Sequence, residues 1–175
     1  RPPIQGIEGE RIQTLWNVAD TDHIKESIEK WNVQSATIVG GGFIGLEMAE
    51  NLHALGIDVT LVEMLDQVMA PLDFEMAQLL HENMWQNGVD LRLGDGVSTF
   101  ENKENSVVIH LSSGNAVESD LVILSIGVRP NSLLAKEAGL ELNARGGVIV
   151  DDTLKTSDPS IYAVGDMIEV EDFIS

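Results

Sequence analysis

Gly40, Gly42 and Gly45 fall at a G-x-G-x-x-G spacing inside Thr37-Ile38-Val39-Gly40-Gly41-Gly42-Phe43-Ile44-Gly45-Leu46-Glu47. Each glycine answers a separate physical demand. Gly40 permits a tight turn, Gly42 lets backbone approach a pyrophosphate, and Gly45 allows a helix to pack closely on a strand. A helix starting here presents unpaired N–H groups and a positive partial charge, both suited to a phosphate. Gly41 and Ile44 belong to the same loop and first turn, and are expected against the same ligand. No Lys or Arg stands nearby, so backbone dipoles must hold the anion. Glu63, eighteen residues past Gly45, sits where an acid accepts hydrogen bonds from adenosine ribose hydroxyls. Glu63 and Asp66 would repel a 2′-phosphate, and Glu63 to Met69 holds no Arg or Lys to receive one, so NAD(H) is expected over NADP(H). Two other readings fit the glycines: a tight strand-to-helix turn without a ligand, and the glycine loop of a methyltransferase, where a strand-end acid also holds a ribose.

The elements that must position these residues follow from apolar spacing. Ala36 to Val39 reads as a buried strand, after which Ile44, Met48, Leu52 and Leu55 make one helical face ending at Gly56. Val59 to Val62 is a second strand ending at Glu63. Pro71 suits a helix start, with Leu72, Met76, Leu79 and Leu80 on one face before Gly88, and Val89 to Leu93 follows as a strand. Alternation over Val107 to Leu111 between turn clusters predicts an antiparallel meander near Val97 to Ser119. Leu121 to Ile126 is the nearly continuous apolar run of a strand covered on both faces. Gly147 to Val150 and Ile161 to Val164 are read as two further short strands. Upstream, Ile24, Ile28 and Trp31 predict a helix over 20–31 capped by Asp20 or Thr21. The first ten residues, with Pro2, Pro3, Gly6 and Gly9, have the composition of a linker. The expected fold class is α/β: a Rossmann-like doubly wound parallel sheet with helices on both faces and an antiparallel β-meander insertion. A connecting linker is expected over residues 1–19, a dinucleotide domain over 20–150 and a separate segment over 151–175.

Composition narrows the partners. At 175 residues, 43% hydrophobic and 22% charged, the chain has the make-up of one globular domain. Twenty-nine acidic against ten basic residues give a net charge of −19, which argues against nucleic acid and anionic membranes as partners. The longest clear apolar run, Leu121 to Val128, is far short of the roughly 20 residues of a membrane helix, so a soluble, cytoplasmic protein is expected. Zero cysteines exclude disulfides, Cys-ligated zinc, iron–sulfur clusters and a thiol nucleophile within these residues. His23, His53, His81 and His110 lack ligand spacing and are read as structural or exposed. The six methionines are read as core filler, and Glu169-Val170-Glu171-Asp172 as solvated surface, so no metal is expected. Tyr162 has no Lys four residues on, against a short-chain dehydrogenase, and no G-x-S-x-G is present for a hydrolase. The chain begins Arg1-Pro2-Pro3 without a signal peptide and is read as a processed or excised segment.

Gly40-Gly41-Gly42-Phe43-Ile44-Gly45-Leu46-Glu47-Met48-Ala49-Glu50 resembles the NAD-binding motif of FAD-dependent pyridine nucleotide-disulfide oxidoreductases. Ser125-Ile126-Gly127-Val128-Arg129-Pro130-Asn131 is similar to the segment ending that family's NAD domain, with Ser-Ile in place of the commoner Ala-Thr. Thr156-Ser157-Asp158-Pro159-Ser160-Ile161-Tyr162-Ala163-Val164-Gly165-Asp166 resembles its second flavin motif. The resemblance implies that Phe43 lies beside the nicotinamide, that Glu47 positions the nicotinamide end, and that Gly127 lays its backbone against the cofactor. It also implies that Asp166, after Gly165, hydrogen-bonds the ribityl chain of FAD. Taken without the resemblance, Phe43 reads as a core aromatic, Glu47 as a solvated helix residue and Asp166 as an N-cap.

The family's first flavin motif and redox cysteine are absent, and the sequence stops at Ser175 before its C-terminal interface domain. The resemblance therefore implies an NADH-binding domain with a stub of flavin-binding sequence over 151–175. Alone it is expected to bind NADH weakly, hold no FAD and lack turnover, with no catalytic residue in this segment. The intact enzyme would be a homodimer through the missing domain. Phe43 to Leu52 and Trp16-Asn17-Val18-Ala19-Asp20 are most similar to the branch of coenzyme A-disulfide reductases, NADH oxidases and NADH-dependent persulfide reductases. There hydride passes from NADH through FAD to a cysteine-linked disulfide, persulfide or oxygen, and the sequence leaves the acceptor open. A non-catalytic NAD-sensing module remains the reading from a different class.

Overall fold

The computed structural model describes residues 2–169. Of the acidic run 169–172, only Glu169 falls among them, and the rest lies outside the described residues. In chain order the first elements are β1 (Ile12–Thr14), α1 (Val18–Trp31), β2 (Ser35–Val39), α2 (Phe43–Ala54), β3 (Asp58–Val62), α3 (Phe74–Gln86) and β4 (Asp90–Arg92). There follow β5 (Val97–Asn102), β6 (Val107–Leu111), β7 (Ala116–Ser119), β8 (Leu121–Leu124), α4 (Leu133–Glu137) and a 3-10 turn over Gly165–Met167. The strands β1-β8-β2-β3-β4 form one sheet in that order, every neighbouring pair parallel. Strands β5-β6-β7 form a separate antiparallel sheet over the span expected for the meander.

Strand alternation sorts the apolar residues into two layers. Ala36, Ile38, Val59, Leu61, Leu121 and Ile123 pack with Ile24 of α1, Ala49 and Leu52 of α2 and Met84 of α3. Ile12, Val39, Val62, Val122 and Leu124 pack instead with Phe100, Val107, Ile109 and Leu111 of the antiparallel sheet. The parallel sheet thus carries its three long helices on one face and the meander on the other, where helices on both faces were expected. The meander suffices because its own alternation supplies a continuous apolar inner face. Between the layers, the buried hydroxyls of Thr37 and Ser119 hydrogen-bond each other at 2.6 Å.

Several boundaries differ from the sequence reading. Residues 1–19 are not a bare linker, since they contribute β1 and the buried Ile7 and Ile12. Gly6 makes this packing feasible: a Cβ there would stand 1.9 Å from the Phe100 carbonyl oxygen. Helix α1 is capped by Asn17, one turn before Asp20 and Thr21. The Asn17 side chain accepts from the Asp20 N–H at 3.0 Å while Asp20 accepts from the Asn17 N–H at 3.1 Å, a reciprocal capping box. Helix α3 starts at Phe74, and its buried residues are Ala77, His81 and Met84, whereas Met76 and Leu79 are exposed. Met69 and Met84 fill the core, but Met64 and Met76 face solvent. The parallel strand expected over 121–126 stops at Leu124.

The chain divides into two compact units, one through Gly127 and one from Val128 on, rather than at residue 150. The second unit has a small core of Ala135, Val148 and Ala163. Neither Gly147 to Val150 nor Ile161 to Val164 forms a strand there. Val148 bridges singly to Leu142 and Ile168, and Tyr162 to Lys155. Left-handed backbone at Gly146 and Leu154 turns the chain beside each bridge before a ladder can extend. Among the described residues, no helix is long and apolar enough to cross a membrane.

Candidate functional site

The strand order reverses at β2 and β8: β3 and β4 lie on one side of β2, and β8 and β1 on the other. In open parallel sheets such a reversal leaves a crevice at the carboxyl ends of the strands. Register sets those ends level, with Val39 opposite both Leu124 and Val62, and Val62 opposite Arg92. Gly40, Glu63 and Ser125 each follow the last residue of one of these strands, and so meet.

Gly40 leaves β2 with φ +108°, and its N–H donates to the Val62 carbonyl at 2.8 Å. A Cβ at Gly40 would lie 2.5 Å from the Ser125 carbonyl oxygen, and one at Gly45 would lie 2.0 Å from the Gly40 carbonyl oxygen. These two positions are closed by packing, as the spacing predicts. Gly42 is different. It is the N-cap of α2, no side chain caps the helix, and a Cβ there would meet nothing within 4 Å. The first-turn N–H groups therefore have no side-chain partner, and the space beside them is open, which fits a pyrophosphate.

Glu63 lies beside this loop. Its carboxylate accepts from the Gly41 N–H at 2.6 Å and from the Leu65 N–H at 2.8 Å. The Met69 N–H donates to the Gly41 carbonyl at 2.8 Å. The Gly41 residue is thus gripped at both its N–H and its C=O by the two ends of the segment 63–69. Each carboxylate oxygen has a second lone pair, which leaves Glu63 able to accept a ribose hydroxyl as well.

Ser125, which sequence reasoning noted only as a departure from a pattern, completes the junction. Its hydroxyl donates to the Gly40 carbonyl at 2.8 Å and the Val39 carbonyl at 3.1 Å, tying the end of β8 to the glycine turn. His81, expected to be structural or exposed, is structural: its Nε2 accepts from the buried Val68 N–H at 3.1 Å, and burial lowers its pKa below the ordinary 6.5. No periodicity marks either residue, because each acts through loop backbone.

The remaining candidates divide by unit. Phe43 is 66% exposed at the start of α2, so it is not a core aromatic. Ile44 is half-buried, Glu47 is exposed one turn on, and Gly127 has φ +91° with open space around it. In the second unit, Gly165 has φ +78°, and Asp166 is exposed inside the 3-10 turn, whose N-cap is Val164, so Asp166 is not the cap. Being exposed, these two could hold a flavin only as part of a larger enclosure.

The family described as pyridine nucleotide-disulphide oxidoreductase matches residues 1–174. The NADH oxidase of Methanocaldococcus jannaschii is 36% identical over 175 residues, covering 99% of this chain and 39% of that protein. The crystal structure of reduced Bacillus anthracis CoADR-RHD is 50% identical with a TM-score of 0.93, covering 100% of this chain and 31% of that one. The water-forming NADH oxidase from Lactobacillus brevis, solved bound to NADH, is 33% identical with a TM-score of 0.85, covering 96% of this chain and 37% of that one. The chain therefore spans less than two fifths of the length of each of these relatives' chains.

Proposed function

The chain belongs to the pyridine nucleotide-disulphide oxidoreductase family, and from that premise we propose that it is the NADH-binding domain of a flavoprotein reductase. The observation that carries the reading is the uncapped, unobstructed start of α2 at the sheet reversal, with the Glu63 carboxylate anchored beside it. With FAD bound in the intact protein, the flavin would supply the hydride-accepting chemistry between NADH and a disulfide, persulfide or oxygen acceptor. The N–H groups of Gly42, Phe43, Ile44 and Gly45 bind the pyrophosphate, and Glu63 accepts from the adenosine ribose. Phe43 lies beside the nicotinamide, Glu47 positions its far end, and Gly127 lays backbone against it. Gly165 and Asp166 contribute to the flavin side. The 175 residues contain no cysteine; on this reading the intact protein supplies the reactive thiol elsewhere, and the 175 residues alone bind NADH weakly and without turnover. Cytoplasmic placement and a homodimeric intact enzyme complete the proposal.

Specificity for NADH over NADPH rests on Glu63 and the neighbouring Asp66, which repel a 2′-phosphate with no cationic residue over 63–69 to offset them. Calorimetric titration with NADH, NADPH and S-adenosylmethionine tests the reading. Binding of NADH at least about tenfold tighter than NADPH supports it, since one uncompensated charge contact amounts to about 1.4 kcal/mol or more. Comparable or tighter NADPH binding removes the specificity argument, and binding of S-adenosylmethionine alone overturns the reading.

A further inference from the structure

We propose that His81 is a positioning residue for the nucleotide site: its neutral imidazole holds the segment 63–69 in the shape that grips Gly41, so dinucleotide binding weakens when His81 takes up a proton. The proposal rests on the NADH reading of the α2 N-terminus and adds a pH dependence to it.

His81 is 1% exposed on the inner face of α3, beside Ala77 and Met84. Val68 N–H can only donate, so the Nε2 that meets it at 3.1 Å carries no proton, and the neutral ring carries its proton on Nδ1. Val68 is itself fully buried, and its Cγ1 would be 3.0 Å from a Cβ at Gly41. The next residue, Met69, has φ +51° and donates its N–H to the Gly41 carbonyl. The imidazole thus fixes the peptide immediately before the one that grips the glycine loop.

The two ends of the segment are anchored differently. The Glu63 end is held by backbone groups that do not titrate: the Glu63 N–H donates to the Arg92 carbonyl at 2.8 Å, and the Asp95 N–H donates to the Glu63 carbonyl at 3.1 Å. The Leu65 carbonyl accepts from the Gly94 N–H at 2.7 Å. The Met69 end has a titratable ring instead. Protonation would set Nε2–H against Val68 N–H, donor to donor, and place a charge in a buried position.

No nearby anion offsets that charge. The charged groups on the surrounding elements are Asp73, Glu75 and Glu82 on or beside α3, Glu63 and Asp66 in the segment, and Asp90 and Arg92 on β4. Glu63 is engaged by Gly41 and Leu65, Asp90 and Arg92 pair with each other at 2.7 Å, and Asp66, Asp73, Glu75 and Glu82 are exposed. Among the described residues none of them hydrogen-bonds the imidazole, whose other ring contact is Trp85 with centroids 6.0 Å apart. Burial accordingly favours the neutral ring and keeps its pKa under the ordinary 6.5.

The experiment measures affinity for ADP-ribose, an acid-stable probe of the same subsites, from about pH 5 to 8. It compares the wild type with His81→Gln and His81→Leu, and follows hydrogen exchange of the Met69 amide in the ligand-free proteins. The wild type is expected to lose up to about tenfold in affinity per pH unit below the pKa of His81. His81→Gln restores an acceptor that does not titrate and is expected to give a flat profile. His81→Leu lacks the acceptor and is expected to bind about fivefold more weakly at pH 8, with faster Met69 exchange. An acid limb retained in His81→Gln overturns the proposal, as does wild-type affinity and exchange in His81→Leu. Should circular dichroism show His81→Leu unfolded, the comparison of wild type with His81→Gln decides. Faster Met69 exchange in His81→Leu combined with no ADP-ribose binding by any form contradicts the NADH reading and the ligand half of the proposal together. Unchanged exchange with intact binding contradicts the proposal alone.

Discussion

The glycines of the loop serve two purposes, which substitution separates. Ala for Gly within a helix ordinarily stabilises by about 1 kcal/mol. Gly45→Ala is predicted to reverse that sign, costing about 2 kcal/mol or more, because its methyl would stand 2.0 Å from the Gly40 carbonyl oxygen, a backbone atom that cannot swing away. Gly42→Ala is predicted to leave stability within about 0.5 kcal/mol, since its backbone is extended and its methyl meets nothing. The same methyl would stand where a phosphate approaches, so NADH affinity should fall about tenfold or more, the equivalent of lost hydrogen bonds to a charged group. Thermal melts and NADH titration of the two variants, side by side, check the pattern. Loss of stability in Gly42→Ala with unchanged affinity would show that the loop is packing alone. Glu63 lies between these cases: its position was legible from spacing, but its grip on the Gly41 N–H was not, because a hydrogen bond to loop backbone leaves no periodic trace.

At the scale of elements, the junction of β2 with β8 depends on Asp120. Its Oδ2 accepts from the N–H groups of Gln34 and Ser35, each at 2.9 Å, and from the Ser35 hydroxyl at 3.1 Å, while Arg11 donates to its carbonyl at 3.0 Å. Partial burial pushes the carboxyl pKa up, but these hydrogen bonds and the Arg11 charge outweigh it and hold the pKa below the ordinary 3.8. A depressed carboxyl stabilises the fold fully above 3.8, and that contribution is lost as pH falls through the folded-state pKa. Asp120→Asn is predicted to cost about 1–2 kcal/mol at neutral pH and to flatten the stability profile below pH 4, as read by denaturant melts across pH. An unchanged acid limb would assign it to other carboxylates. Strands β2, β3 and β8 are legible as short apolar runs ended by Gly40, Glu63 and Ser125, and helix α2 and the meander because each repeats its apolar residues at one period. Helix α3 is legible as an element but only partly in its facing: Leu80 packs against the core as expected, whereas the fully buried residue at its centre is His81, a polar type, and Met76 and Leu79 are exposed. The short apolar runs 147–150 and 161–164 look like strands in isolation, and only the turning backbone beside them shows that they form single bridges.

For the molecule as a whole, the net charge of −19 opposes an anionic dinucleotide, and no Lys or Arg occurs between Lys30 and Arg92, the stretch that builds the candidate site. Backbone dipoles must then provide the attraction at short range, where salt screens little. NADH affinity is predicted to change by less than about threefold between about 0.05 and 0.5 M salt, whereas a steep fall would reveal a cationic site elsewhere. The zero cysteine count has a parallel meaning at this scale: on the proposed reading these residues serve to bind and orient NADH, with no thiol among them to exchange electrons. The central claim is that the N–H groups at the start of α2 hold the phosphates of NADH. Backbone amide resonances followed by NMR during NADH titration test it most directly. The largest shifts are predicted at Gly42, Phe43, Ile44 and Gly45, with smaller ones at Leu65 beside Glu63. Saturable NADH binding that leaves those four amides unmoved while shifting resonances elsewhere would contradict the account.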